Sequence, residues 1–267
     1  MRVALCLEYD GAEYSGWQSQ PGGNTVQDVL EHALAQIAGT PTQVVCAGRT
    51  DAGVHALAQV VHFDVAVNRP MTAWVRGVNA HLPPAVAVRW AVPVGEDFHA
   101  RFAARARAYR YLLLNRPERP GLFAGRVGWC HQPLDVAAMR RAAACLLGEH
   151  DFSSFRAAGC QAKSPIKTVH GFSVEQEGDL VLIDCCASAF LHHMVRNLVG
   201  ALVYIGMGRQ PVAWLAELLA ARDRRRGAPT FSPAGLYLAG VEYDARWGLP
   251  PAGKGGRIIP PSQQPFA

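Results

Sequence analysis

Twice along the chain the apolar pattern runs in the same order, and few folds accommodate that order. The first copy reads strand, helix, two strands, helix, strand. Its strands fall over 3–9, 43–46, 58–65 and 86–92, and its helices over 26–37 and 72–81. Val26, Val29, Leu30, Ala33, Leu34 and Ile37 repeat at helical spacing. Thr25 and Asp28 form a capping box with the shorter acid, and Gly39 supplies the stop. Pro83-Pro84 ends the second helix. The second copy places strands over 108–114, 166–175, 180–186 and 236–243, with helices over 134–147, 190–206 and 212–221. Gly148 stops its first helix, and Glu177-Gly178-Asp179 turns its two middle strands into a hairpin. The order is that of a ferredoxin-like or RNA-recognition-type unit. No clear repeat of residues links the copies, so the repetition is one of pattern. The expected division is 1–105, 106–247 and a Pro- and Gly-rich flexible tail over 248–267.

Composition narrows the function. Half of the 267 residues are apolar and the mean hydropathy is near zero, as in a folded chain. The longest apolar run, Leu198 to Ile205, is broken by Gly200 and followed by Gly206, too short for a membrane span. Met1 to Leu5 enters a strand pattern at once and soon meets Glu8 and Asp10, unlike a secretory signal. Seven cysteines, none at zinc-site spacing, fit reduced thiols in a cytoplasm. A net charge of +5 suits a polyanionic partner without requiring one. Lysine occurs only at 163, 167 and 254, so the cationic residues are mostly arginine. Abundant Ala, Gly and Pro point to a compositional bias that accounts for most of this.

The stretch Cys46-Ala47-Gly48-Arg49-Thr50-Asp51-Ala52-Gly53-Val54-His55-Ala56 packs an arginine, a threonine, an aspartate and a histidine between two strands. Its glycines permit a sharp turn or a close approach to a ligand. Taken alone, Gly-Arg-Thr-Asp is an ordinary polar turn. The longer string from Gly48 to Ala56 is far more specific. It resembles the active-site motif of bacterial tRNA pseudouridine synthases of the TruA type. Tyr9-Asp10-Gly11 followed by Gly16-Trp17-Gln18 is similar to that family's opening pattern. Phe98-His99-Ala100-Arg101-Phe102, the strand with Tyr109, Asp151-Phe152-Ser153-Ser154-Phe155 and His192-His193-Met194-Val195-Arg196-Asn197 match it at compatible spacing. The resemblance runs from about Val3 to about Trp247. Lys163 and Lys167 depart from it, standing where many members carry arginine; the charge is kept and the bidentate geometry is not.

The resemblance implies an α+β fold of two ferredoxin-like, RRM-like halves. These would share a mostly antiparallel sheet, with helices packed on one face and a basic central cleft. It implies conversion of uridine to pseudouridine at positions 38, 39 and 40 of the tRNA anticodon stem-loop, by a cytoplasmic homodimer. It assigns Asp51 as the catalytic nucleophile or base and Arg196 as the cation that keeps it ionised. Tyr109 becomes the residue that stacks on the base, its hydroxyl handling a sugar proton. Arg49 meets a phosphate or fills the space left by the flipped nucleotide. The reaction neither gains nor loses an atom, so no cofactor and no metal is expected.

Other residues admit plainer readings. His62 reads as a structural strand residue. The two aromatics of Phe98–Phe102, set around a basic pair, suit an RNA-facing group and a hydrophobic hinge equally. One rival function is a non-catalytic tRNA-binding or RNA-folding protein on the same scaffold, against which Asp51, Arg49, Tyr109 and Arg196 all stand intact. A metal-dependent hydrolase built on His55 and His192-His193 lacks nearby cysteines and any HExxH spacing.

Overall fold

The computed structural model describes residues 1–250, a mixed α+β chain. From residue 251 onward the tail expected over 248–267 lies outside the described residues. No helix among the described residues is long and apolar enough to cross a membrane. The chain divides into two compact units. One gathers Met1–Ala52, Ala56–Arg105 and the described residues from Leu238; the other gathers Gly53–His55 and Ala106–Tyr237.

In chain order the first unit contains β1 (Arg2–Tyr9), α1 (Val26–Ala38), β2 (Val45–Cys46) and β3 (His55–Asp64). A wide π-helical turn over Ala73–Gly77 then leads into α2 (Val78–His81) and β4 (Val86–Val94). The second holds β5 (Ala104–Asn115), β6 (Gly128–Cys130), α3 (Val136–Ala143), β7 (Gly148–Asp151), β8 (Ile166–Glu177) and β9 (Leu180–Ala187). It continues with α4 (Met194–Gly206) and α5 (Trp214–Ala221). β10 (Leu236–Tyr243) comes last, and its residues from Leu238 count with the first unit.

In the first unit β1 pairs antiparallel with both β3 and β4, and β2 adds to β3. Val3 to Leu7 are all buried, so this strand is covered on both faces. That is why the alternation expected of a half-buried strand gives way to a continuous apolar run over Val3 to Leu7. Helix α1 starts where the cap pattern predicts: the Thr25 hydroxyl accepts from Asp28 N–H at 3.2 Å and donates to the Asp28 carboxylate at 2.6 Å. Gly39 closes it in the left-handed conformation. The π-helical turn seats Trp74, fully buried, edge-on to Phe63 at 5.2 Å. A register shift in β1 between Leu7 and Tyr9 sets Leu7 opposite Gln59 and Tyr9 opposite Ala56.

In the second unit the strands lie in the order β5-β9-β8-β7, all antiparallel, and β6 runs parallel beside β5. Tyr111, Leu113, Val181, Ile183 and Cys185 share one core with Met139 of α3, Leu198 and Leu202 of α4 and Leu215 of α5. Arg110, between two core-facing tyrosines, points the other way. It is buried and donates twice, each at 2.6 Å, to Asp184, its cross-strand partner. Burial pushes the Asp184 carboxyl up, and Arg110 opposes that shift.

Two helix boundaries differ most from the sequence expectation. Gly148 does not stop a helix: α3 ends at Ala143, a 3-10 turn follows, and Gly148 at φ +94° opens β7. The helix expected from Phe190 begins only at Met194, because His193 adopts φ +63°. Non-helical bonds take the preceding backbone. His192 C=O accepts from Ala157 N–H at 3.0 Å, and His192 N–H donates to Cys160 Sγ at 3.3 Å.

Candidate active site

The Arg49-Thr50-Asp51 loop is fastened at its centre. Thr50 is buried, and its Oγ1 lies 2.8 Å from the Tyr9 hydroxyl. The Thr50 carbonyl accepts from Trp17 N–H at 3.0 Å. One residue group earlier, the Gln59 amide grips the Gly48 peptide on both sides. Its Nε2 donates to Gly48 C=O at 2.6 Å, and its Oε1 accepts from Gly48 N–H at 3.4 Å. Gln59 also donates to the Tyr9 hydroxyl at 3.5 Å. The shift in β1 is what brings Tyr9 into this reach.

A glycine closes the other side. Gly16 has φ +98°, and a Cβ there would stand 2.9 Å from Thr50 O and 3.1 Å from Ala52 N. Only glycine permits that approach of backbone to backbone. With Thr50 turned inward, its neighbours face outward. Arg49 is exposed and Asp51 is half-buried. Side chains that alternate about a fixed residue are presented without freedom to collapse into the core. Behind the loop, burial pushes the Cys46 thiol up to about 11, while the guanidiniums of Arg49 and Arg101 draw it down.

Tyr109 and Arg196 belong to the second unit. Tyr109 sits on β5, half-buried, with Phe190 edge-on at 4.9 Å. Tyr111, two residues on along the same face, is buried and donates to Ser232 C=O at 2.8 Å; burial pushes its hydroxyl well up. The pair therefore divides into a core tyrosine and one at the margin of the core. Arg196 lies in the first turn of α4. Its Nε donates to Phe231 C=O at 2.9 Å, and its own carbonyl accepts from Phe231 N–H at 3.2 Å. The next residue, Asn197, is a buried hub. It donates to Phe155 C=O at 2.8 Å and accepts from Thr230 Oγ1 at 2.7 Å and Arg224 at 3.0 Å.

The structure thus sets Arg49 and Asp51 on one loop of the first unit, and Tyr109 and Arg196 in the second. Of the histidines weighed as ligands, His55 has other surroundings in its own unit. His55 Nε2 lies 3.1 Å from both the Gly125 and Ala234 carbonyls, so this nitrogen carries the hydrogen, and the ring stacks on Tyr237 at 4.6 Å. His62 Nδ1 accepts from Ala100 N–H at 3.1 Å, a structural role. The His192 and His193 rings lie 4.0 Å apart. Sequence reasoning missed the clamp formed by Gln59, Tyr9 and Gly16. Its signal was Gln59, a polar side chain inside the apolar run Ala58–Val65.

A family model described as tRNA pseudouridine synthase matches residues 5–103 and 142–244. Among curated proteins, a tRNA pseudouridine synthase A of Dechloromonas aromatica is 65% identical over 250 residues, covering 94% of this chain and 95% of the relative. One of Aromatoleum aromaticum is 60% identical over 266 residues, covering 100% of both. One of Bordetella petrii is 57% identical over 262 residues, covering 97% of this chain and 98% of the relative. With a family model matched across most of its length and relatives this similar from end to end, the chain belongs to the tRNA pseudouridine synthase family.

Proposed function

We propose that this protein converts uridine to pseudouridine at positions 38, 39 and 40 of the tRNA anticodon stem-loop, with Asp51 as nucleophile or base. The observation that carries the reaction class is the near-complete match to tRNA pseudouridine synthases. The bond from ribose C1′ to uracil N1 breaks, the base turns, and C1′ joins C5. N1 gains a proton and C5 loses one, so the atoms balance within the nucleotide. Support for Asp51 is local: a half-buried carboxylate beside a buried, doubly held threonine, on a loop that matches the family motif. Preorganisation of this kind favours a group that must attack from one direction.

Tyr109 stacks on the uracil, Arg49 takes a phosphate or the vacated place in the stack, and Arg196 supplies positive charge at the substrate. Stacking on an aromatic is worth roughly 1–3 kcal/mol per base. Two ferredoxin-like halves, a basic cleft for the RNA, a homodimer and a cytoplasmic setting complete this reading. It requires neither cofactor nor metal.

The test is pseudouridine mapping in tRNA transcripts treated with wild type and Asp51→Asn. Wild type should modify positions 38 to 40. The Asn variant should bind tRNA within about threefold of wild type and show no conversion above background, since it keeps shape and loses charge. Turnover by Asp51→Asn would remove Asp51 from its role. Tight binding by wild type with no product would favour the RNA-folding reading.

A further inference from the structure

Among the described residues of the first unit, Phe102 is the most solvent-exposed large apolar side chain, at 75%. Exposed rings on loose loops are common and mean little, but this one stands on a fixed support. Phe98 is fully buried among Tyr243 at 5.4 Å and Trp247 at 5.2 Å. Ala100 is fully buried, and both its backbone groups are bonded: its N–H to His62 Nδ1 at 3.1 Å, its C=O by the Tyr243 hydroxyl at 2.7 Å. His99 Nδ1 accepts from the N–H groups of Arg101 and Phe102, each at 3.2 Å, and His99 C=O accepts from Ala103 N–H at 2.8 Å. The turn is bonded at every residue from 98 to 103, yet Phe102 faces water.

The surroundings of the ring identify its ligand. The His99 imidazole stacks beneath it, centroids 4.2 Å apart and planes 28° apart. The Arg101 guanidinium stands 5.7 Å from its centroid. A protein-docking patch of several hundred square ångströms would need apolar neighbours. Here the exposed neighbours in sequence are Arg101 and Arg105, the latter paired with the Asp244 carboxylate. A flat ring backed by a second ring with a guanidinium beside it is the arrangement that binds single-stranded nucleic acid, the ring stacking on a base and the cation meeting a phosphate. Arg101 and Arg49 both act on the buried Cys46 thiol, so this turn and the Asp51 loop lie on the same region of the first unit. Burial and the charges of Arg2 and Arg101 hold His99 below its ordinary range, which favours the neutral imidazole as a stacking surface.

We propose that the Phe102 ring, on its rigid turn with His99 and Arg101, is a stacking platform for an unpaired nucleobase of the tRNA, distinct from the uridine that is modified. This rests on the reading of the protein as a tRNA pseudouridine synthase. Phe102 is a positioning residue: it holds RNA and touches no reacting atom.

The experiment compares wild type, Phe102→Ala and Phe102→Trp for tRNA affinity by filter binding, for KM and kcat, and for solution mass. Phe102→Ala should weaken affinity and raise KM about tenfold, the range that loss of one stacked base allows. Its kcat should stay within about twofold of wild type, and Phe102→Trp should restore both values. Unchanged affinity and KM in the Ala variant would overturn the proposal. So would a Trp variant as weak as Ala, or an Ala variant of altered solution mass, which would make the ring a self-association contact. Affinity is read apart from product. A wild type that binds tRNA and makes no pseudouridine would therefore sink the reaction assigned above and still leave the Phe102 comparison decisive.

Discussion

The loop of Asp51 and the first turn of α4 are held in opposite ways. The loop is fastened by side chains from distant strands: Gln59 on Gly48, Tyr9 on Thr50, with Gly16 pressed against the Thr50 carbonyl. The helix turn of Arg196 is fastened by side chains it sends out itself, Arg196 to the Phe231 carbonyl and Asn197 to the Phe155 carbonyl, Thr230 and Arg224. A helix brings its own ladder, so a few tertiary bonds suffice to orient it. A loop has no ladder, and its geometry depends on each polar side chain that replaces one. Damage near Asp51 should therefore appear as lost turnover, and damage near Arg196 as lost stability.

The sharpest way to break this comparison is a pair of glycine substitutions. Gly16→Ala meets the Thr50 and Ala52 backbone at about 3 Å and forces an alanine to φ +98°. The strain is on the order of 1–3 kcal/mol, and the displaced loop should cost turnover about a hundredfold or more, since small misplacements do so. Gly200→Ala in α4 would put a Cβ 2.4 Å from the Pro229 carbonyl. It should destabilise by about 1–3 kcal/mol through overpacking, with the folded enzyme losing less than tenfold in rate. Single-turnover rates alongside thermal melts decide between them. Equal rate losses in the two variants would erase the distinction.

Asn197→Ala comes next. It strips three hydrogen bonds from one buried side chain and leaves the Phe155 carbonyl and Thr230 hydroxyl short of partners. The expected loss is about 3 kcal/mol in urea unfolding, near the upper end for unsatisfied buried groups. Ligand affinity of the folded protein should change little. A loss below about 1 kcal/mol would mean that the hub is replaced by water.

What could be read from the residues follows the same line. α1 was legible to its caps, because Thr25, Asp28 and Gly39 are local signals. β1 is legible as a strand, read from alternation, although both of its faces are covered. The late start of α4 was not, since Phe190, Leu191, Met194 and Val195 keep helical spacing. The left-handed His193 sets the start, and His192 before it takes tertiary bonds that no periodicity encodes. β6 and β7 were missed because strands of three and four residues hold too little pattern to detect. The loop of Asp51 was legible as a string, but its clamp was not: Gly16, Tyr9 and Gln59 come from segments whose meeting depends on the register of β1 and β3. The Phe98–Phe102 turn suits hinge and RNA contact equally in sequence, for aromatic spacing does not tell which ring is buried. Phe98 proved the buried anchor and Phe102 the displayed ring.

The smallest effect concerns acid, and it tests whether the first unit rests on a titratable acceptor. His62 Nδ1 takes the Ala100 N–H, and only a neutral imidazole with that nitrogen bare can do so. Burial, then the charges of Arg2 and His99, lower its pKa from 6.5 to about 4, against the pull of Asp64. The unfolded chain protonates near 6.5, so between these values the unfolded state binds the extra proton. Stability from neutral His62 is therefore complete above about pH 6.5 and is lost as pH falls toward 4. At about 1.4 kcal/mol per pH unit, and with the ring near the edge of the core, the loss should reach about 2 kcal/mol. His62→Gln keeps an acceptor for Ala100 and removes the titration. Urea unfolding of both proteins from pH 7 to pH 4.5 should show wild type losing about 2 kcal/mol relative to His62→Gln as pH falls, since carboxylate effects are common to the two. Tyr243 still holds the Ala100 carbonyl from the other side, so tRNA affinity through the Phe102 turn should weaken only modestly over that range. Parallel stability curves would mean that His62 titrates alike in the folded and unfolded chain and that burial does not hold it neutral.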